Sequence, residues 1–435
     1  VLIASLLVLA VVLQLLRIGM SAALDSLWAE DGPIFLQAAL FESFWDAVTS
    51  PYAGYLVVMP RLIGEAASLT SPEDAAAIVS ILSAAVVALS GLAVWYAAAG
   101  HIRNPYLRGI LAALTVLTPV ASLESIDSAA YVAWYMLFAT FWLLLWRPRT
   151  TYGAVLGGFF ILATTLSNPG VWFFLPLAAL RALAIRDRRD LTIVASYAIG
   201  AAIQVPIVAS NQGATTDPIW TSEIWAAYVQ RIVDGAAFGQ ELGGTLWAHL
   251  GVPFLLLLCL AAAFALLALL RRSGSTGRWL AAIAIPTSMV VFVVSVYQRA
   301  VGSDMGWGSG SFGGAGGRYT IVPALLLISA ALALIEDSPW KRRWRGGLSL
   351  AGLAAAALLA LSIVTSFNER DYATRGTPPW EATVKGAAAK CRAESLPEVM
   401  VPTSPPSFGM QVPCGRIAGL AEKPPERNRL DPPQR

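Results

Sequence analysis

Apolar residues in this chain come in long unbroken blocks separated by short polar breaks, not in alternating stripes. A helix needs about 20 predominantly apolar residues to cross the hydrocarbon core of a bilayer. The blocks predict about eleven such helices, at roughly 1–17, 76–100, 107–123, 128–146, 153–167, 170–185, 191–210, 246–270, 279–297, 320–336 and 347–366. The fifth and sixth are short and meet at Ser167-Asn168-Pro169-Gly170, so they read as two crossings or as one re-entrant hairpin. The expected fold is all-α: a polytopic membrane domain over residues 1–366, then a small tail over 367–435. The end of that tail, KPPERNRLDPPQR, has the composition of disordered chain. Val1 falls inside an apolar run, so the natural start and a short basic leader are expected to precede it.

Composition agrees with the pattern. Of 435 residues, 57% are hydrophobic and 13% charged, with mean hydropathy +0.63. A soluble domain carries roughly 25% charged residues. The net charge of +3 matters less than where the charges fall. The loops at 101–108, 147–152, 181–190, 271–278 and 341–345 hold fifteen Lys and Arg, as in RDRRD and KRRWR. The alternate loops at 18–75, 211–245 and 298–319 hold four: Arg61, Arg231, Arg299 and Arg318. Basic loops stay in the cytoplasm, so the N-terminus is expected inside and the C-terminus outside. Cys391 and Cys414, 23 residues apart in the tail, then lie in an oxidising compartment where a disulfide is expected. Cys259 sits in an apolar run as a small buried thiol. The cytoplasmic connections are short and lack a phosphate-cradling glycine turn, which excludes chemistry on a cytoplasmic nucleotide. There is no zinc motif, no Ser/His/Asp arrangement and no nucleic-acid signature.

The long outer loop 18–75 holds WAEDGPIFLQAALFESFWDAVTSPYAGYLVVMPR from Trp28 to Arg61. Pro33 suits the first turn of a helix. Ile34, Phe35, Ala38, Phe41, Phe44, Trp45 and Val48 follow at helical spacing, which predicts an amphipathic helix lying in the membrane interface. A second short helix is expected from Met59 to Leu69. Ahead of the first stands the carboxylate pair Glu30-Asp31. Adjacent carboxylates at a membrane mouth suit a general base and its partner, or a divalent cation such as Mg or Mn; the plain alternative is a solvated turn. Arg318-Tyr319 closes the glycine-rich GGAGGRY, where backbone N–H groups and a guanidinium fork suit a phosphate. Arg299 and Arg61 compete for that role. Glu124 in SLESIDSAAY, Asn168 in SNPG and Tyr55 in the aromatic turn are candidates for the substrate, against turn caps and belt aromatics.

WAEDGPIF followed by PYAGYLVVMPR resembles the first extracytoplasmic loop of the GT-C superfamily of membrane glycosyltransferases. The resemblance implies many spans, two helices lying along the membrane in that loop, and a sugar donor linked to polyprenyl phosphate on the outer face. It implies that Asp31 is the base toward the acceptor hydroxyl, with Glu30 beside it, and that a basic residue such as Arg318 meets the lipid phosphate. Similarity is closest to bacterial members that build cell-envelope glycans in the plasma membrane, so the expected acceptor is an envelope glycan or glycolipid. Two other classes stand beside this reading, a flippase for a lipid-linked glycan and a non-catalytic scaffold. A flippase should carry ionisable groups deep in its spans, and the middles of these blocks are nearly without them.

Overall fold

A computed structural model of the chain describes residues 2–210, 223–299, 317–337, 350–367 and 378–418. These residues are overwhelmingly helical, with one two-stranded sheet among them. Five helices are long and apolar enough to cross a membrane, at 75–100, 188–210, 224–272, 275–297 and 318–336, and shorter apolar helices stand among them.

The Val132–Leu145 helix is the hub. Its sequence, VAWYMLFATFWLLL, is apolar all round, and every residue except Trp134 is buried; such a helix belongs inside other helices. It packs against the helices at Ala75–Ala97, Thr151–Thr165 and Arg318–Glu336. Small residues let neighbours approach closely, as in membrane helix packing: a Cβ on Gly158 would lie 2.7 Å from Ser196 Oγ. Facing outward, Leu256, Leu257, Leu260 and Phe264 of Gly235–Arg272 are well exposed, a surface suited to lipid chains. That helix kinks at Gly239 and Gly251, both at positive φ.

The molecule has two chemically different ends. At one, His101 stacks on Trp279 with ring centroids 6.1 Å apart. Arg181 there pairs with Asp190 at 2.6 Å, and Arg147 pairs with the same carboxylate at 3.4 Å. These contacts gather loops that the sequence marks as basic. The Thr151–Thr165 helix and the 169–183 segment form a hairpin that returns to this end, where Arg181 donates to the Leu144 carbonyl at 2.9 Å.

The other end holds the first loop. The single amphipathic helix expected after Pro33 is instead broken into pieces: a π-helical turn at Gly32–Leu36, a short helix at Gln37–Phe41 and another at Phe44–Thr49. The break comes at Glu42, which is extended, and Ser43, whose side chain caps the next helix by accepting from Asp46 N–H. Phe35 and Leu36 turn inward, while Phe44 and Trp45 remain exposed. The second helix runs Val58–Ser68.

The tail does not stand apart. Its Trp380–Glu394 helix, strands β1 (Glu398–Pro402) and β2 (Gly409–Pro413), and the Cys391–Cys414 disulfide share one apolar core with Leu27, Phe35, Leu36, Val57 and Ile63. Hydrogen bonds tie the joint: Trp380 N–H to Asp25 O at 2.9 Å, Ala29 N–H to Ser404 O at 2.6 Å, and Ser404 N–H to Leu27 O at 2.8 Å. Gln411 N–H adds a bond to Gln37 Oε1 at 2.7 Å.

Candidate functional site

Three stretches distant in sequence meet at this end: 28–31, 122–131 and 317–320. The first is set by Ala29, held at φ +42°, a left-handed conformation uncommon for a residue with a side chain. The connection between the two tail strands grips it by the Ser404 bonds, and the turn sends Glu30 and Asp31 to different partners.

Asp31 is 1% exposed. Its carboxylate accepts from Ser128 Oγ at 3.2 Å, Ala129 N–H at 3.1 Å and Ala130 N–H at 2.9 Å. These N–H groups open the helical run that becomes Val132–Leu145, and the first N–H groups of a helix have no partner within it. Asp31 is therefore a remote cap, with its charge on the favourable end of the helix dipole. A buried carboxylate engaged by these three donors holds the hub helix in place.

Glu30 is the more accessible member of the pair, half-buried, and its Oε2 accepts from Tyr131 OH at 3.1 Å. Tyr131 in turn lies against Arg318, whose Nη1 donates to the phenol oxygen at 3.3 Å and whose guanidinium sits 5.1 Å over the ring. Arg318 is the first residue of its helix. Its backbone N–H donates to Glu124 Oε1 at 3.0 Å, its Nη1 to Glu124 Oε2 at 3.1 Å, and its Nη2 to Tyr319 OH at 3.1 Å. With the Tyr319 ring also 4.8 Å from it, the guanidinium is held by two aromatic rings. Gly317 permits this approach, since a Cβ there would run into Ser122. The 122–125 turn that carries Glu124 is itself held by Ser125, whose Oγ accepts from Ser122 N–H at 3.0 Å and whose N–H donates to Ser122 O at 2.9 Å.

Glu30, Asp31, Glu124, Arg318 and Tyr319 are thus brought into one network, linked through Tyr131. The other candidates are placed elsewhere. Arg61 is 5% exposed, donates to Ile34 O at 2.9 Å and lies 5.6 Å over the Phe35 ring. Burial lowers its pKa, and the charges around it are Glu42, Tyr52 and Glu65, not those of the Arg318 network. It is an inward strut between the Val58–Ser68 helix and the π-helical turn. Asn168, also buried, accepts from Gly170 N–H at 2.8 Å and caps the Pro169–Phe174 turn. Tyr55 belongs to a turn closed by reciprocal backbone bonds with Tyr52. Gly317 apart, the glycine run before Arg318 lies outside the described residues, as does the side chain of Arg299.

One residue was missed by the sequence reading, and a second was marked only as one of the four outer arginines. Tyr131 stands in the apolar run SAAYVAWYM, where it looks like a belt aromatic. Arg231, 4% exposed on the π-helical turn Val229–Asp234, feels the charge of Glu124 and so brings a second cation toward it. The signal for Arg231 was its membership of the four outer arginines; π-helical turns gather at functional sites, but a π-turn leaves no mark in a sequence. As for a cation, the donors on Asp31 already occupy its carboxylate, and among the described residues no set of three or more His, Cys, Asp or Glu gathers as metal ligands. No family model matches this chain, and no curated protein or solved structure matches it.

Proposed function

We propose that this protein is a membrane glycosyltransferase of the GT-C type. It would move a sugar from a polyprenyl-phosphate donor to a cell-envelope glycan or glycolipid on the outer face of a bacterial plasma membrane. The observation that carries the reading is the Glu30–Tyr131–Arg318–Glu124 network, which joins an accessible carboxylate to a clamped guanidinium at the end away from the basic loops. An acceptor hydroxyl needs a base, and a departing lipid phosphate needs fixed positive charge; this network holds both within one phenol of each other. Further support for the orientation comes from the tail disulfide, which docks on the same end. On this reading eleven spans cross the bilayer, with the N-terminus inside and the tail outside.

The division of labour follows from the geometry. Glu30 removes the proton of the acceptor hydroxyl while Asp31 holds the helix that presents Tyr131. The acceptor oxygen attacks the anomeric carbon, the bond to the phosphate oxygen breaks, and configuration inverts. Arg318, kept in position by Glu124 and two aromatic rings, stabilises the charge growing on the phosphate. Arg231 adds to the positive field there.

The test uses purified protein in lipid nanodiscs with radiolabelled polyprenyl-phosphate sugars of several kinds. Wild type is expected to transfer the sugar or slowly hydrolyse the donor, and Glu30→Gln to lose turnover by about 10²–10⁴-fold while still binding donor. A wild-type protein that neither binds nor consumes any such donor overturns the reading.

A further inference from the structure

The network contains one group that neither base nor phosphate clamp explains. Tyr131 is 7% exposed, and among the described residues its hydroxyl bridges both functional charges: it donates to Glu30 Oε2 at 3.1 Å and accepts from Arg318 Nη1 at 3.3 Å. Tyr319 also accepts from Arg318, at 3.1 Å, but no bond links it to a carboxylate of the first loop. The two tyrosines therefore share the arginine and differ in their second partner. Structural need does not demand the link to Glu30, because Asp31 and the Ser128, Ala129 and Ala130 donors already fix the start of the helix.

We propose that Tyr131 is a proton relay that returns the acceptor's proton from Glu30 to the departing lipid phosphate. This inference rests on the glycosyl-transfer reading. In the transfer step the acceptor O–H bond breaks, its proton goes to Glu30, and the acceptor oxygen bonds the anomeric carbon as the C–O bond to phosphate opens. The polyprenyl phosphate leaves with both electrons of that bond and gains one negative charge. Protonated Glu30 then donates to the phenol oxygen while the phenol proton passes to a phosphate oxygen beside Arg318. The sum is one acceptor and one donor consumed, one glycoside and one singly protonated polyprenyl phosphate formed, with Glu30 ionised for the next cycle. No oxidant or other reactant is needed. Glu30 is half-buried and its neighbour Asp31 is buried, so a relay to the phosphate spares the proton an exit through solvent. It also weakens the hold of Arg318 on the product by lowering the charge of the phosphate, which ties proton return to product release.

The experiment compares wild type, Tyr131→Phe and Tyr319→Phe in nanodiscs with the donor that wild type uses. Phenylalanine keeps the ring against Arg318 and removes only the hydroxyl. Tyr131→Phe is expected to complete a first turnover at the wild-type rate and then slow by about tenfold or more, giving a burst, with donor KM changed less than twofold. The slow phase should shift with buffer concentration as outside bases take over proton removal. Tyr319→Phe is expected to raise donor KM with no burst. Steady turnover of Tyr131→Phe at the wild-type rate overturns the relay while leaving glycosyl transfer intact, and so does an equal fall of first and later turnovers, which marks a merely structural role. Absence of transfer by wild type overturns the functional reading and the relay with it.

Discussion

At the scale of single residues, the two neighbouring carboxylates should separate cleanly by experiment. Asp31 is buried and accepts three hydrogen bonds at a helix start. Asp31→Ala is therefore expected to cost about 2 kcal/mol or more of stability, read as a lower melting temperature in nanodiscs. Glu30→Gln, which keeps the volume of a half-buried side chain, should melt as wild type does. The opposite pattern would return the proton-accepting role to Asp31. Asp234 gives another contrast: it is fully buried, neither carboxylate oxygen has a hydrogen-bond partner, and it lies against Gly243. A lone buried carboxylate costs stability when ionised, so Asp234→Asn should leave the melting temperature unchanged or raise it.

His101, at the basic end, supplies a pH dependence. Burial between Trp279 and Trp142 holds its pKa below the ordinary value of 6.5. Above that value both folded and unfolded states are neutral and the stability is fully present. As pH falls, the unfolded chain takes up the proton first, so stability is lost down to the folded pKa and then levels off. Melting curves between about pH 8 and pH 5 should show this loss in wild type and a smaller one in His101→Gln.

At the scale of elements, the tail strand and the first loop form one unit, and Gly32 shows how closely. A Cβ at that position would lie 2.7 Å from Thr403 Cγ2 and 2.9 Å from Leu27 Cδ2. Gly32→Ala should push the tail off the loop, which hydrogen exchange over 398–413 would report as faster exchange. Gly386→Ala, with nothing within 4 Å of the new methyl group, should instead strengthen its helix by roughly 0.5–1 kcal/mol. The sequence made parts of this readable. Apolar blocks mark the spans because burial in lipid demands them, and the Glu30, Glu124 and Arg318 candidates stood out as polar groups at block ends. The break at Glu42-Ser43 was written as a Ser-x-x-Asp cap, Ser43 to Asp46, but the apolar spacing of Phe41, Phe44 and Trp45 ran across it and suggested one helix. The inward turn of Arg61 is a similar case. An arginine in an outer loop looks available, and only the packing of Phe35 and Ile34 turns it inward. The tail's docking left no trace at all: two short strands and a cap pair with residues hundreds of positions away, and no periodicity records such a contact.

At the scale of the whole molecule, the two ends are fastened by different means. The basic end relies on ion pairs and aromatic stacking, such as Arg181 with Asp190 and His101 with Trp279. The site end depends on a covalent staple, since Cys391 and Cys414 close a loop with a sequence separation of 23. A loop of that length is worth roughly 3 kcal/mol in the chain-entropy account. Reductant should therefore lower the melting temperature and depress transfer together, with Cys391→Ser/Cys414→Ser behaving as the reduced wild type. A reduced protein with full transfer would mean that the apolar core alone holds the tail in place.

The docked tail also sets an order of events in the life of the protein. Asp25 Oδ1 accepts from Glu381 N–H across a separation of 356 residues. At a synthesis rate of roughly 5–20 residues per second, the first loop leaves the ribosome about 20–70 seconds before its partner exists. During that interval Leu27, Phe35 and Leu36 lack the tail side of the apolar core they share with it. The joint between the first loop and the tail closes only after the chain has been made as far as the strands at 398–413. On the glycosyl-transfer proposal, a chain made only as far as the Arg318–Glu336 helix would hold the Glu30–Tyr131–Arg318 network without the tail that packs on its loop.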